Sequence, residues 1–174
     1  MEDTELRRQL ETCHRQSFSW ALQCCGHDRS RADDVLQIAY LKVLDGRARF
    51  DARSSFITWL FAVIRRTAAD EWRRHVLRLT RHSPLRDDVP LDARETGGTG
   101  DIEASERRAL LRRALGELPR RQREVMLLVF YHERTVEEAA LILGVGVGSA
   151  RTHYARAKER LREVLRNSEV RDEA

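Results

Sequence analysis

The segment from Thr135 to Leu165 constrains the fold of this chain more than any other stretch. Residues 136–143 follow a helix-forming apolar pattern, and Gly144 follows them as a helix stop. A glycine-rich turn over residues 145–148 comes next, and a second helix begins at Ser149, whose hydroxyl can cap it. The core spacing of that helix falls on Ala150, Tyr154, Ala157, Leu161 and Leu165. This pattern predicts a helix-turn-helix.

The second helix of such a motif contacts base edges with residues near its N-terminus. The candidates for base readout are therefore Ser149, Arg151, Thr152 and His153. Arg156 and Lys158 are candidates for anchoring phosphates, because basic residues outnumber acidic ones along this helix. Helix packing alone would also allow a helical hairpin with a solvated basic face.

Helical periodicity also describes the rest of the chain. An early helix around Phe18–Leu22 is broken near Gly26, and a second follows Asp33 and Asp34 and ends at Asp45. Further helices are predicted at about residues 56–72, 110–118 and 119–129. No segment shows sustained alternation of apolar and polar residues, so the fold class is all-α.

Composition divides the chain into three parts. Residues 81–103 carry more acidic than basic side chains, two prolines and a Thr-Gly-Gly-Thr-Gly run, which together predict a flexible acidic linker. The flanking segments 1–80 and 104–174 are both net basic. The sequence therefore predicts two small helical domains, 1–80 and 104–174, joined by the linker.

The overall composition excludes several classes of protein. Hydrophobic residues make up 41% and charged residues 34%, which is enough apolar material for a core. No run is long enough for a membrane span, and the N-terminus does not read as a signal peptide. Three cysteines, two of them adjacent, do not form a disulfide framework. We therefore expect a cytoplasmic protein without a cofactor.

Two sets of residues resemble one known family. Region 4 of the extracytoplasmic-function (ECF) sigma factors of bacterial RNA polymerase resembles three segments of this chain: Leu118-Pro119-Arg120, Thr135–Ala140 and Gly148–Thr152. Ala32–Leu41 resembles the region 2 helix of that family, and Trp59–Ile64 with Asp70 and Arg73 resembles its promoter-melting helix. The two signatures stand in the family's order on either side of the linker. The resemblance implies a sigma factor with no catalytic residues, which directs core RNA polymerase to promoters.

The resemblance also implies contacts to polymerase and to regulators. Asp33, Asp34 and Gln37 match the positions that dock on the β′ clamp helices. Either aspartate could instead cap the helix, a role that Gln37 cannot fill. Many members are held inactive by an anti-sigma factor. The apolar surface predicted between Leu110 and Phe130 would serve the β flap or such an inhibitor.

Promoter contacts follow from the same resemblance. The minus-10 element would be captured as single strand by basic and aromatic residues around the loop between the second and third helices. These are Arg47, Arg49, Phe50, Arg53, Ser54, Phe56, Arg65, Arg66 and Arg73. Trp59 falls on the apolar face and is expected in the core. In region 4, Arg151, Thr152, Ala155 and Arg156 occupy the DNA-facing positions. His153, Gly146 and Arg66 depart from common family residues.

Other functions fit the sequence less well than this one. His132-Glu133 lacks the second histidine of a zinc protease, and no nucleophile with a base partner is visible. Cys24, Cys25 and His27 match no standard metal signature. A transcriptional repressor or activator would share the helix-turn-helix but need a sensing or dimerisation domain at residues 1–80. A helical adaptor would show no salt-dependent DNA affinity.

Overall fold

The computed structural model describes residues 3–79 and 102–172, and the chain divides into two compact units, Met1–Asp92 and Ala93–Ala174. Throughout the described residues the regular structure is helical, which confirms the predicted fold class. The first unit holds α1 (Asp3–Cys24), α2 (Arg29–Leu44) and α3 (Phe56–Leu79). The second holds α4 (Ile102–Gly116), α5 (Arg120–Phe130), α6 (Val136–Leu143) and α7 (Val147–Asp172). The predicted linker lies outside the described residues, except for its last two positions, which belong to α4.

The core of the first unit is centred on Trp20 of α1 and Phe61 of α3. Both are buried, their rings stack with centroids 5.6 Å apart, and the Trp20 indole N–H donates to the Phe61 carbonyl at 3.0 Å. The buried residues of α2 follow the spacing of an amphipathic helix: Ala32, Val35, Leu36, Ala39 and Val43. Burying each larger apolar side chain contributes roughly 1.5–3 kcal/mol, so this periodicity decides which face of α2 turns inward.

The structure corrects the predicted start of α2. The helix begins at Arg29 because Asp28 keeps an extended backbone and its carboxylate accepts a hydrogen bond from the Arg31 N–H at 3.0 Å. Asp33 and Asp34 therefore lie one turn inside the helix, and neither of them caps it. The predicted end is confirmed, since the N–H of Asp45 donates to the Leu41 carbonyl at 2.9 Å.

Small side chains allow α6 and α7 to pack closely in the second unit. Ala139 and Ala140 of α6 and Ala150 and Ala157 of α7 are all buried. Because the distance between packed helices depends on the side chains at the contact, alanines bring the two backbones near each other. Ala157 lies in an apolar cluster with Leu118 and Met126, and Leu115, Tyr154 and Leu161 pack against that cluster.

The turn between α6 and α7 is shorter than the sequence predicts. Gly144 ends α6 with a φ of 63°, in the left-handed region that favours glycine. α7 then begins at Val147 rather than Ser149, because the N–H of Ala150 already donates to the Gly146 carbonyl at 3.0 Å. Ser149, expected to cap the helix, instead lies inside its first turn.

Candidate nucleic-acid interface

Reciprocal hydrogen bonds fix the start of α6. The Thr135 hydroxyl accepts from the Glu138 N–H, and the Glu138 carboxylate accepts from the Thr135 N–H, each at 3.0 Å. This capping box satisfies two backbone donors at the helix N-terminus. At the other end, the N–H of Gly144 donates to the Leu141 carbonyl at 3.2 Å. Because both ends of α6 are fixed, the chain enters α7 at a defined position.

The first turns of α7 expose most of the predicted DNA-contacting residues. Those that are exposed are Ser149, Arg151, Thr152, Ala155 and Arg156. Side chains four residues apart stack on one face of a helix, so Arg151 aligns with Ala155 and Thr152 with Arg156. Ala150 and Ala157 are buried on the opposite side. The sequence prediction therefore identifies a continuous solvent-facing surface of α7.

Two of the predicted residues lie at the margins of that surface. His153 and Lys158 are both half-buried. The Lys158 ammonium lies 6.0 Å from the centre of the Tyr154 ring, a distance suited to a cation–π contact. Tyr154 in turn stacks on Phe130 with ring centroids 6.1 Å apart. Lys158 is thus directed along the side of α7 rather than straight out from its exposed face.

Carboxylates limit the basic surface beyond Arg156. Glu117, Glu159 and Glu163 line a groove together with Arg156 and Arg160. Negative side chains repel the phosphate backbone of DNA and offset the arginines beside them. The part of α7 best suited to DNA is therefore its N-terminal part, up to Arg156.

Arg151 is already engaged by a residue of α6. Its Nη2 donates to Oε1 of Glu137 at 2.8 Å, and this contact joins the N-terminal parts of the two helices. This hydrogen bond holds the pKa of Glu137 below its usual value, so the carboxylate stays ionised near neutral pH. Glu137 is not among the functional residues predicted from the sequence, because its contact is with a residue fourteen positions away on another helix.

Three aromatic rings lie at the base of the loop between α2 and α3. Phe50, Phe56 and Trp59 contact one another pairwise, with ring centroids 5.4–5.5 Å apart, and all three are half-buried. The prediction that Trp59 belongs to the core is wrong, because its side chain is only half-buried; Trp20 is the tryptophan that is fully buried. Partly exposed aromatic faces beside a loop can stack on unpaired bases.

The loop arginines contact nearby acceptors: a carboxylate for two of them and a backbone carbonyl for the third. Nε of Arg47 donates to Asp45 at 2.7 Å, and Arg53 lies 3.4 Å from the Asp51 carboxylate. Nε of Arg49 donates to the carbonyl of Gly46 at 3.4 Å. All three arginines are exposed, and Ser54 is half-buried among them. The predicted minus-10 residues of the loop therefore share one solvent-facing segment.

The arginines of α3 differ in their surroundings. Arg73 donates to Asp70 at 2.7 Å, and Asp70 lies 3.8 Å from Lys42 of α2. Arg65 is half-buried, whereas Arg66 is exposed and, within residues 3–79 and 102–172, makes no ion pair. Arg66 and Arg73 are seven residues apart, so they share one face of α3.

A second exposed surface lies on α2, and we call it the α2 stripe: Asp33, Asp34, Gln37 and Leu41. The three polar residues were predicted from the sequence, whereas Leu41 was not among the predicted contact residues. The structure exposes 57% of Leu41. Leu41 lies four residues after Gln37 and seven after Asp34, and this helical spacing could have placed it on the same face of α2 from the sequence alone. The stripe thus combines two carboxylates, an amide and an apolar side chain.

The cysteines belong to no metal-binding group in the described part of the chain. Cys25 is buried, and burial raises the pKa of its thiol to about 11. Cys13 and Cys24 are half-buried and form no disulfide. Among the residues that the structure describes, no group of three or more His, Cys, Asp or Glu side chains is arranged to hold a metal ion. None of the described helices combines the length and apolarity required to span a bilayer.

Two family models match this chain, one in each unit. The model "Sigma-70 region 2" matches residues 10–78, and the model "Sigma-70, region 4" matches residues 108–161. The first match covers the segment in which a repressor or activator would have needed a sensing or dimerisation domain. The region 4 match covers all of α5 and α6 and the N-terminal part of α7.

Curated relatives and solved structures agree with these matches. The ECF RNA polymerase sigma factor EcfG of Rhodopseudomonas palustris is 31% identical over 78% of this chain and 71% of its own length. The RNA polymerase sigma factor CarQ of Myxococcus xanthus is 33% identical over 80% and 77%. The fold is similar to that of the sigma factor RpoE from Bartonella quintana, solved in complex with the anti-sigma factor NepR, with a TM-score of 0.70, 21% identity and coverage of 93% and 97%.

Proposed function

Because the chain belongs to the ECF sigma factors of the sigma-70 family, we propose that its two units divide promoter recognition between them. As an alternative sigma factor, it binds core RNA polymerase and directs transcription initiation at specific promoters. The first unit would dock on polymerase and read the minus-10 element, and the second would read the minus-35 element. Polymerase supplies the catalysis, so we assign no covalent chemistry to this chain. The protein then acts where polymerase and promoter DNA meet, in the cytoplasm.

The α2 stripe is the proposed docking site for the β′ clamp helices. Asp28 supplies the cap of α2, which leaves the carboxylates of Asp33 and Asp34 exposed for basic partner residues. The Gln37 amide and the exposed Leu41 add a hydrogen-bonding group and an apolar contact. An interface that combines charged, hydrogen-bonding and apolar groups is typical of specific protein interfaces.

The loop between α2 and α3 is the proposed minus-10 site. Its exposed arginines would neutralise phosphates, while the ring faces of Phe50 and Phe56 would stack on unpaired bases. Asp45 and Asp51 hold Arg47 and Arg53 in place, which lowers the entropy that those side chains lose on binding. Arg66 and Arg73 would extend the basic surface along α3.

The N-terminal part of α7 is the proposed minus-35 site, with Arg151 and Thr152 facing the bases and Arg156 the backbone. The observation that carries this assignment is the continuous exposed surface of Ser149, Arg151, Thr152, Ala155 and Arg156 opposite the buried alanines. His153 and Lys158 would make peripheral contacts. Carboxylates further along α7 would confine the duplex to the first turns.

We also propose an anti-sigma partner. Two solved structures with similar folds were determined as complexes, one of the sigma factor RpoE with the anti-sigma factor NepR and one of CnrH with the cytosolic domain of CnrY. Phe130 and Tyr131 are 63% and 64% exposed at the end of α5, an apolar surface that suits the β flap of polymerase. An anti-sigma factor that covered this surface would compete with polymerase. The acidic residues 81–103 would connect the two units.

Reconstitution with bacterial core RNA polymerase tests the proposal directly. The full chain should co-elute with core polymerase and produce transcripts from a promoter library randomised in both elements, at a fixed salt concentration. Transcripts that share two conserved boxes would support the division between the units. Specific duplex binding by the chain alone, with no association with core polymerase, would contradict it.

A further inference from the structure

The hydrogen bond between Glu137 and Arg151 joins the two helices of the helix-turn-helix at the surface proposed to face DNA. The two residues are fourteen positions apart, with side chains that are 53% and 68% exposed. One guanidinium nitrogen, Nη2 of Arg151, donates to the carboxylate at 2.8 Å. The other N–H groups of the planar guanidinium stay available to a further acceptor.

This contact does little for the stability of the unit. Water screens an ion pair as exposed as this one, so it adds little to folding, and buried alanines such as Ala140 and Ala150 already lie on the two helices. Its physical effect is on the orientation of a long side chain with several rotatable bonds. An arginine that is fixed before binding loses less entropy when it meets its target, and it meets that target in one geometry.

We propose that Glu137 is a positioning residue that determines specificity, because it aims the Arg151 guanidinium at a single guanine of the minus-35 duplex. Guanine is the base whose major-groove edge offers two acceptors, O6 and N7, to an arginine. The Glu137 carboxylate also disfavours other orientations of the Arg151 side chain. If the guanidinium moved toward a DNA phosphate, its hydrogen bond to Glu137 would break and the negative charge of Glu137 would be left without a partner near the DNA. The inference rests on the proposed role of Arg151 in reading the minus-35 element.

The test uses holoenzyme reconstituted from the full chain and core RNA polymerase. Transcription is measured from a promoter library randomised across the minus-35 element, and the base preference at each position is determined. The variants are Arg151→Ala, Glu137→Ala, Glu137→Gln and the double variant Arg151→Ala with Glu137→Ala. Glu133→Gln is the matched control, because it removes one exposed carboxylate near α6 without touching Arg151. Thermal unfolding of every variant checks that the fold is intact.

We expect Arg151→Ala to relax the preference at one base pair by about 5-fold or more. Glu137→Ala should relax the same position and no other. Glu137→Gln keeps an acceptor without its charge and should produce a smaller loss. The double variant should match Arg151→Ala alone, because the two residues act as one unit.

Two results would overturn the inference, and they have different meanings. If Arg151→Ala is position-specific while Glu137→Ala behaves like Glu133→Gln, then Glu137 does not position the arginine. If Arg151→Ala weakens all sequences equally, then Arg151 contacts only phosphate and its proposed readout role fails as well.

Discussion

The carboxylate of Asp28 accepts a hydrogen bond from the backbone N–H of Arg31 at 3.0 Å, and this contact determines what the next aspartates can do. Since Asp28 caps α2, the helix starts one turn earlier than its apolar pattern indicates. Asp33 and Asp34 are then ordinary helical residues with exposed side chains. Their charges serve no cap, and the proposed polymerase contact is the role that remains for them in our interpretation.

Replacing Asp28 with alanine should destabilise the first unit by about 1 kcal/mol, because the Arg31 N–H loses its acceptor. The same replacement at Asp33 should change stability by less than about 0.5 kcal/mol. All three tryptophans lie in the first unit, so urea unfolding followed by tryptophan fluorescence reports on that unit. Equal destabilisation by the two variants would contradict the assignment of the cap.

Replacing Asp34 and Gln37 together with alanine should weaken binding to core polymerase by about 10-fold or more, as expected when residues at the centre of an interface are truncated. Affinity is measured by titrating labelled chain with core polymerase. Glu11→Ala removes an exposed carboxylate of α1 and serves as the charge control. A docking role for the α2 stripe does not survive if the double variant binds as tightly as the control.

Replacing Arg66 with alanine should reduce the salt dependence of promoter binding by the holoenzyme. Each phosphate contact contributes about 0.7–0.9 to the magnitude of the slope of log affinity against log salt concentration. Loss of the Arg66 contact should therefore reduce that magnitude by about 0.7–0.9. Arg47→Ala should change the slope less, because Arg47 is already paired with Asp45. Promoter binding is measured at several salt concentrations. An unchanged slope for Arg66→Ala would show that Arg66 does not contact a DNA phosphate.

Acid should destabilise the second unit through His132. The side chain is buried, and burial, with a smaller contribution from the Arg134 charge, lowers its pKa to about 4. The unfolded chain takes up the proton near pH 6.5, so stability is lost as the pH falls from about 6.5 toward 4, by at most about 1.4 kcal/mol per pH unit.

His132→Gln, which cannot titrate, provides the comparison. Its stability should vary less than that of the native chain over this pH range. Because the second unit contains no tryptophan, urea unfolding is followed by NMR signals of its residues. Identical pH profiles for the two chains would show that His132 does not carry the effect.

Local patterns predicted much of the fold. Capping residues and apolar spacing within a short stretch of sequence predict three features: the end of α2 at Asp45, the start of α3 at Phe56 and the whole of α6. The errors arose where competing signals lie close together. Asp28, Asp33 and Asp34 are all good caps, and residues 144–148 hold three glycines that could each end a helix.

The sequence by itself determined that the chain is helical and belongs to this family, because helix signals and family motifs are properties of neighbouring residues. It also determined which surfaces of α2 and α7 carry exposed polar groups, since the helical repeat fixes them once the buried positions are known. Only the tertiary structure decided that Trp20 rather than Trp59 fills the core and that Glu137 meets Arg151. Such contacts depend on how separate helices pack, and no local spacing in the sequence encodes the distance between two side chains on different helices.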